Sequence, residues 1–205
     1  MKIAKIEPSK HKQERILVYT EEGDLLRVTK HELLQFGLYV GMELPPERVE
    51  ELTASAEKSE RRVYAAHLTS SRMLSQKEVR DKLRKRNANE EEAQETAEWL
   101  ADLGAVDDAA YAGVIARHYA AMGYGKGRVE QELYRRGIPK ELWGDALALL
   151  PDPAEAVECF LRNKLKGKAL DRDTSRKLAA ALQRRGFSWN DIRPVLNKLG
   201  QEIEE

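Results

Sequence analysis

A motif that returns every 49 or 50 residues constrains the fold of this 205-residue chain more than any other feature of its sequence. Its apolar anchors are Val79, Val129 and Leu178, and a leucine four residues after each anchor lies on the same face of a helix. Each helix is predicted to end at Gly or Asn, which readily adopt the left-handed conformation, after a last turn rich in basic residues. A period of this length is typical of repeat proteins, whose small units pack on their neighbours.

Each anchor helix lies between two other helix-forming segments, so the repeating unit is predicted to contain three short helices. In the second unit the last of these segments is about 139–150. Capping residues support the predicted helix starts, because Ser75 precedes Glu78 by three residues and Asn89 precedes Glu92 in the same way. Pro194 lies inside the last predicted helix and is expected to kink it. The predicted units are residues 57–107, 108–151 and 152–200.

The first 50 residues follow a different pattern, with short runs rich in Ile, Val, Leu and Tyr that predict β-strands. Gly23 and its acidic neighbours are typical of a hairpin turn, and Thr29 has the position of a helix N-cap with Glu32 as its capping-box partner. Residues 1–50 are therefore predicted to form a small β-hairpin-plus-helix region, and residues 47–56 lead onward as a polar helix or linker. The predicted strands are Ile3–Ile6, Arg15–Thr20 and Leu25–Thr29.

These patterns together predict a mainly α-helical protein. Its tandem three-helix repeats are expected to form an elongated, curved array, preceded by the small β-hairpin-plus-helix N-terminal region. Such an array has few long-range contacts and no deep pocket, so its shape favours a long macromolecular partner over a small molecule. No heptad pattern indicates a coiled-coil seam, and the protein is expected to be a monomer.

The amino-acid composition indicates which partners and which cellular compartment to expect for this chain. It has 35 basic and 35 acidic residues, so overall charge does not indicate binding to nucleic acid, although residues 153–205 carry 11 basic against 8 acidic residues. Cys159 is the only cysteine, which excludes an internal disulfide and favours a reducing compartment, and its apolar neighbours predict that the thiol is buried. No run of about 18 apolar residues indicates a membrane span, and the protein is expected to be soluble and cytoplasmic.

The sequence lacks the groupings of residues that an active site requires. Its four histidines lie in separate elements, and none has a zinc-binding spacing. The glycine-rich segment 123–128 lacks the preceding strand and the Ser or Thr of a phosphate loop, so a turn that begins a helix is favoured. Asp107 and Asp108 adjoin a predicted helix start, where capping is their ordinary role. We therefore expect no enzyme activity, no catalytic residue, no cofactor and no metal.

Several motifs follow one another in a fixed order along the chain. They are Phe36-Gly37-Leu38-x2-Gly41-Met42-Glu43-Leu44, Ser75-x2-Glu78-Val79-x2-Lys82-Leu83, Leu103-Gly104-x-Val106-Asp107-Asp108-x2-Tyr111-Ala112 and Gly127-Arg128-Val129-x2-Glu132-Leu133-x2-Arg136-Gly137-Ile138. This ordered set resembles the RecX family over nearly the whole chain, and its first member is similar to the N-terminal extension of longer relatives. Asn87 departs from the pattern by standing where the family often has Gly, which a left-handed helix end tolerates.

The resemblance implies tandem three-helix repeats and a regulatory function. A protein of this family is expected to dock into the helical groove of a RecA–DNA filament, to bridge adjacent protomers, and to inhibit recombinase and coprotease activity. The expected partners are the RecA filament and single-stranded DNA, contacted either directly or through the filament. No membrane partner is expected.

The predicted contact residues are cations that recur in the last turn of each middle helix and on nearby faces. For any one of them an ordinary solvated surface is the simpler explanation, but recurrence in all three units favours a shared binding surface. A row of Arg and Lys side chains could follow phosphates or acidic patches in a groove. The predicted partner- and DNA-binding residues are Arg80, Arg84, Lys85, Arg128, Arg135, Arg136, Arg162, Lys164, Lys168, Arg176, Arg184 and Arg185.

Functions of three different classes stay open at this point. The favoured one is a regulator of the RecA filament. The alternative is a stand-alone basic helical module that binds DNA or RNA directly, for which tight and steeply salt-dependent binding without RecA would be diagnostic. A hydrolase or transferase with an unfamiliar site would have to use Asp107 and Asp108.

Overall fold

The computed structural model describes residues 1–10, 14–166 and 170–204 of the chain, with side chains described as far as residue 200. The described residues form three antiparallel strands followed by ten α-helices, which confirms the predicted fold class. The helices are α1 (Lys30–Gln35), α2 (Pro46–Ser71), α3 (Gln76–Arg84), α4 (Glu90–Asp102), α5 (Asp108–Ala121), α6 (Lys126–Arg136), α7 (Trp143–Leu147), α8 (Pro153–Leu165), α9 (Arg172–Arg184) and α10 (Trp189–Glu204).

The N-terminal sheet has the strand order β1–β2–β3, and both neighbouring pairs are antiparallel. All three predicted strands are confirmed, the first being longer than predicted because it extends to Pro8. Ile16 and Val18 alternate with more exposed residues along the middle strand and are buried in the core of this region. Thr29 and Glu32 form the predicted capping box at the start of α1. The strands are β1 (Ile3–Pro8), β2 (Arg15–Thr20) and β3 (Leu25–Thr29).

Helix α2 is 26 residues long and joins the N-terminal region to the first three-helix unit. Residues 47–56, which the sequence predicted as either a polar helix or a linker, are helical. Helix α2 therefore runs through the predicted boundary between the N-terminal region and the first unit. Glu32 ties α1 to α2, because its buried carboxylate accepts hydrogen bonds from the Ser55 and Ser59 hydroxyls at 3.2 and 2.6 Å. Burial raises the pKa of Glu32, but hydrogen bonds from Ser59 and Thr29 outweigh burial and hold this pKa below its ordinary value.

Three successive groups of helices pack as units. The second half of α2 packs with α3 and α4 in unit 1, α5 and α6 pack with α7 in unit 2, and α8, α9 and α10 form unit 3. The last helix of unit 2 is shorter than the predicted segment 139–150, since a 3-10 turn at Lys140–Leu142 precedes the five residues of α7. Pro194 lies inside α10, as predicted, and the helix continues to Glu204.

Four hydrophobic cores succeed one another along the chain, one in the N-terminal region and one in each unit. Leu83, Leu133 and Leu182, which follow the three repeat anchors, are all buried in the cores of their units. The chain exposes 13281 Å² of accessible surface, whereas a compact monomer of its mass would expose about 9,700 Å². This excess of surface agrees with the predicted elongated array and not with a single globule.

Unit 1 contacts unit 2 through the turn that follows α6. The Ser75 hydroxyl, at the N-terminus of α3, donates a hydrogen bond to the carbonyl of Arg136. Gly137 follows in the left-handed conformation, and the aliphatic part of Lys77 lies directly against it. The end of a middle helix in one unit thus packs on the start of the middle helix in the unit before it.

Unit 2 contacts unit 3 in the same manner. The backbone N–H groups of Gly125 and Gly127, at the N-terminus of α6, donate to the carbonyls of Arg185 and Gly186, both at 2.9 Å. Gly186 has φ +88°, and a Cβ atom at this position would lie 2.2 Å from the backbone nitrogen of Arg128. Only glycine allows the two backbones to approach this closely.

This close approach predicts that Gly186→Ala destabilises the protein more than the left-handed backbone alone would. The matched control is Gly104→Ala, since Gly104 has φ +68° but open space where its Cβ would lie. We expect Gly104→Ala to lower the free energy of unfolding by about 1 kcal/mol, and Gly186→Ala by about 2–4 kcal/mol because the methyl group also forces the junction apart. Urea unfolding followed by circular dichroism measures both, and equal losses would show that the approach of the two units does not limit stability.

Candidate partner-binding surface

The predicted contact residues lie in all three units of the structure. Eleven of them are described, and Lys168 lies outside the described residues. Their surroundings divide them into three groups: residues at a junction between units, residues paired within one unit, and exposed residues.

Arg136 lies at the junction of units 1 and 2. Its Nε donates to Glu132 at 2.7 Å, and its Nη1 contacts the Tyr111 hydroxyl and lies 3.8 Å from Glu78 of unit 1. Only 25% of the side chain is exposed. This position gives Arg136 a structural role between the two units, and direct contact with a partner stays a prediction.

Arg185 occupies the corresponding position at the junction of units 2 and 3. Its Nη1 donates to the carbonyls of Met122 and Gly123 at 3.0 and 3.1 Å. The guanidinium group also lies over the rings of Tyr124 and Phe160, at 5.3 and 5.1 Å from their centroids. These contacts cap the end of α5 and join both units, so Arg185 also has a structural role.

Glu132 organises the basic end of α6. Its buried carboxylate accepts hydrogen bonds from Arg135 at 2.9 and 2.6 Å as well as from Arg136. The hydrogen bonds from Arg135 hold the pKa of Glu132 below its ordinary value, although burial opposes them. Arg135 is therefore fixed in position while 68% of its side chain remains exposed.

Three other predicted cations have partners within their own units. The half-buried Arg80 donates a hydrogen bond to the neutral side chain of Gln94 at 2.6 Å. Arg84 and Arg162 are exposed and form ion pairs with Glu90 at 3.2 Å and Glu158 at 2.7 Å. Exposed ion pairs contribute little to stability and can be exchanged for others.

The remaining five described cations are exposed. Lys85, Arg176 and Arg184 have no salt bridge within the described part of the chain. Arg128 lies 5.9 Å from the centroid of the Tyr124 ring, and Lys164 lies 6.0 Å from that of Phe160. Arrangement of these residues as one binding surface remains a prediction.

The paired carboxylates Asp107 and Asp108 both cap helices, but only Asp107 caps the adjoining helix, as predicted. Asp107 accepts a hydrogen bond from the backbone N–H of Ala110 at the start of α5. The buried Asp108 accepts one from the backbone N–H of Gln76 at 3.0 Å, so it caps α3 across the junction of units 1 and 2. Burial raises the pKa of Asp108 despite that hydrogen bond.

The prediction that Cys159 is buried is wrong, because this residue is exposed. The buried stripe of α8 consists of Val157, Leu161 and Leu165, which recur every four residues, and Cys159 lies off that stripe. Across residues 1–10, 14–166 and 170–200, no group of three or more His, Cys, Asp or Glu side chains could hold a metal ion. None of the described helices is long and apolar enough to cross a membrane.

One feature that sequence reasoning missed is a cleft of about 500 Å³ where unit 1 meets unit 2. We name it the junction cleft. The sequence feature that points to this cleft is Tyr134. This large aromatic residue follows the buried Leu133 and therefore lies off the apolar face of α6, where the tyrosine is 73% exposed. The cleft is lined by Lys77, Tyr134, Arg135, Gly137, Ile138, Lys140 and Trp143.

Tandem three-helix units that expose cations from successive repeats define the class of this molecule as a modular helical-repeat protein. A family model described as RecX, second three-helix domain, matches residues 107–147, which contain α5, α6 and α7. The chain is 30% identical over 211 residues to the regulatory protein RecX of Lactobacillus delbrueckii subsp. bulgaricus, covering 99% of this chain and 76% of that relative. It is 31% identical over 153 residues to the regulatory protein RecX of Chlorobium limicola, covering 72% of this chain and 94% of the other.

Solved structures have the same fold. A crystal structure of regulatory protein RecX superposes with a TM-score of 0.76 at 23% identity, over 96% of this chain and 98% of that one. The crystal structure of RecX from Lactobacillus salivarius superposes with a TM-score of 0.63 at 26% identity, over 71% of this chain and 97% of that one. The protein belongs to the RecX family of regulatory proteins.

The environment of Glu132 predicts a pH-dependent contribution to stability. Because its pKa is lower in the folded protein than the ordinary 4.5, this contribution is present above pH 4.5 and is lost as the pH falls through the folded-state pKa. We expect Glu132→Gln to cost about 2 kcal/mol of unfolding free energy at pH 7, and the difference from the wild type to shrink below pH 4.5. Urea unfolding at several pH values measures it.

The control for this experiment is Glu130→Gln on the same helix. Glu130 faces Lys126 at 3.9 Å with 38% of its side chain exposed. Its substitution should change stability by less than about 0.5 kcal/mol at every pH. If Glu132→Gln lowered the free energy of unfolding by the same amount at every pH, the role given to the carboxylate charge would be contradicted.

Proposed function

We propose that this protein is a non-catalytic regulator of RecA, which binds the RecA–DNA filament and inhibits its recombinase, ATPase and coprotease activities. The observation that carries the proposal is similarity over the full chain to proteins named regulatory protein RecX. The geometry agrees with this function, because successive units with separate cores offer repeated contact surfaces to a partner that is itself a repeating polymer. Contacts with adjacent protomers would act together, since each bound unit raises the effective concentration of the next.

The exposed cations are the best-supported contact residues. Lys85, Arg176 and Arg184 can accept new acidic or phosphate partners without breaking a salt bridge in the described structure. Arg136 and Arg185 contribute differently, because they set how one unit lies on the next and so determine the spacing of the contact surfaces. The protein would act as a monomer in the cytoplasm, where its filament partner forms.

The second candidate function is direct binding of nucleic acid without RecA. The junction cleft favours it, since aromatic and cationic side chains line one concave surface. The two functions differ in their salt dependence. Direct binding to bare DNA should weaken steeply between low and physiological salt, whereas binding to the filament should still occur at salt concentrations that abolish binding to DNA alone.

The central prediction is that substoichiometric amounts of the protein suppress the ATPase activity of RecA on single-stranded DNA. Titration of RecA ATPase with the purified protein measures this directly. No suppression at equimolar protein would contradict the proposed function.

The contact residues are tested by a double charge reversal, Arg176→Glu with Arg184→Glu. We expect the concentration for half-maximal inhibition to rise about fivefold or more, since each reversal replaces an attraction with a repulsion of similar size. The matched control reverses Arg27 and Lys30, exposed cations of the N-terminal region, and should leave inhibition unchanged. Equal effects of the two double variants would indicate that net charge, and not this surface, governs binding.

A further inference from the structure

The junction cleft exists only where two units meet. Lys77 comes from α3 of unit 1, Tyr134 and Arg135 come from α6 of unit 2, and Lys140 and Trp143 come from the turn and helix that follow. A single three-helix unit would therefore carry only part of it.

The walls of this cleft are held in place before any ligand binds. A Cβ atom at Gly137 would lie 2.0 Å from Cδ of Lys77, so the glycine lets the lysine chain cross the backbone at close range. The Trp143 indole N–H donates to the carbonyl of Ile138 at 2.9 Å and fixes the ring. Arg135 is held by the buried carboxylate of Glu132. A preorganised site loses little conformational entropy on binding.

The charge of the cleft favours an anion. Three cations and no carboxylate line it, whereas acidic residues line each of the other three clefts described in this chain. Lys77 pairs with Asp81 at 2.9 Å, but both side chains are 45% exposed, so this ion pair is weak and exchangeable. Lys140 is exposed and has no salt bridge within the described residues.

Tyr134 adds a second, independent feature. Tyr134 is 73% exposed although tyrosine buries favourably, and the next residue on α6, Arg135, lines the same cleft. Exposed aromatic rings next to cations are how proteins bind single strands, because an unpaired base stacks on the ring while the cations contact phosphates. Duplex DNA has its bases stacked internally and offers none to the ring.

We propose that the junction cleft binds single-stranded nucleic acid, with one base stacked on Tyr134 and the adjacent phosphates contacted by Lys77, Arg135 and Lys140. This inference adds a binding site to the proposed function. It rests on the proposed function for one point, the identification of the strand as DNA. It adds a direct contact with the strand that does not require the recombinase.

The test measures the affinity of the full chain for a fluorescein-labelled oligodeoxythymidine by anisotropy, without RecA. We expect Tyr134→Ala to weaken binding about tenfold through loss of stacking, and Tyr134→Phe to bind as the wild type does. The matched control is Tyr39→Ala, because Tyr39 is 63% exposed in the N-terminal region, away from the cleft. Unchanged affinity in Tyr134→Ala, or equal loss in Tyr39→Ala, would overturn the inference.

Salt dependence tests the phosphate contacts. Lys140→Gln should reduce the slope of log affinity against log salt by about 0.7, the value for one phosphate contact on a single strand. Lys30→Gln, an exposed lysine on α1, should leave the slope unchanged. A matched duplex should bind more weakly than the oligodeoxythymidine and should not respond to Tyr134→Ala. An oligouridylate of the same length separates DNA from RNA, and preference for it would overturn the identification as DNA.

RecA ATPase titration with the same variants separates this inference from the proposed function. If Tyr134→Ala binds the oligonucleotide normally but inhibits RecA poorly, the cleft contacts protein and the inference is wrong while the regulatory function stands. If the wild type fails to inhibit RecA but binds the oligonucleotide through Tyr134, the regulatory proposal is wrong while the cleft assignment stands.

Discussion

The turn that ends the middle helix of one unit packs against the N-terminus of the middle helix in the unit before it, and the arrangement of the units depends on this contact. At the first junction the carbonyl of Arg136 accepts the Ser75 hydroxyl, and at the second the carbonyls of Arg185 and Gly186 accept backbone N–H groups of unit 2. Both contacts satisfy polar groups that helix ends leave unpaired. A repeated contact of this kind extends the chain as an array of small cores, which a compact fold would merge into one.

Arginine side chains have two kinds of surroundings in this array. Arg136 and Arg185 direct their guanidinium groups inward, to a carboxylate at one junction and to backbone carbonyls and aromatic rings at the other. Arg135, one position away from Arg136, is held by the same Glu132 but faces solvent. A single buried carboxylate thus holds both the arginine that lies near Glu78 of unit 1 and a second arginine that lines the junction cleft.

Sequence patterns were sufficient for the local structure. The strands of the N-terminal region, the Thr29–Glu32 capping box and the left-handed helix ends at Asn87, Gly137 and Gly186 all follow from residues close in the chain. The errors have local causes too. Cys159 was assigned to the buried stripe of α8 although it lies between two stripe positions. The last helix of unit 2 is shorter than predicted because a 3-10 turn, which the apolar residues do not reveal, precedes it.

The sequence by itself determined the helical repeat, the N-terminal sheet and the family, because periodicity, capping and motif order are properties of neighbouring residues. Only the tertiary structure decided which cations are structural and which are exposed. Two adjacent arginines occur at the end of α6 and of α9, so the sequence pattern does not distinguish Arg135 from Arg136 or Arg184 from Arg185. The tertiary structure also created the junction cleft, whose lining comes from residues about 60 positions apart, Lys77 and Tyr134 among them. The physical reason is that these residues meet only where Ser75 and the aliphatic part of Lys77 pack against the glycine-containing turn after α6, and no local pattern encodes that contact between units.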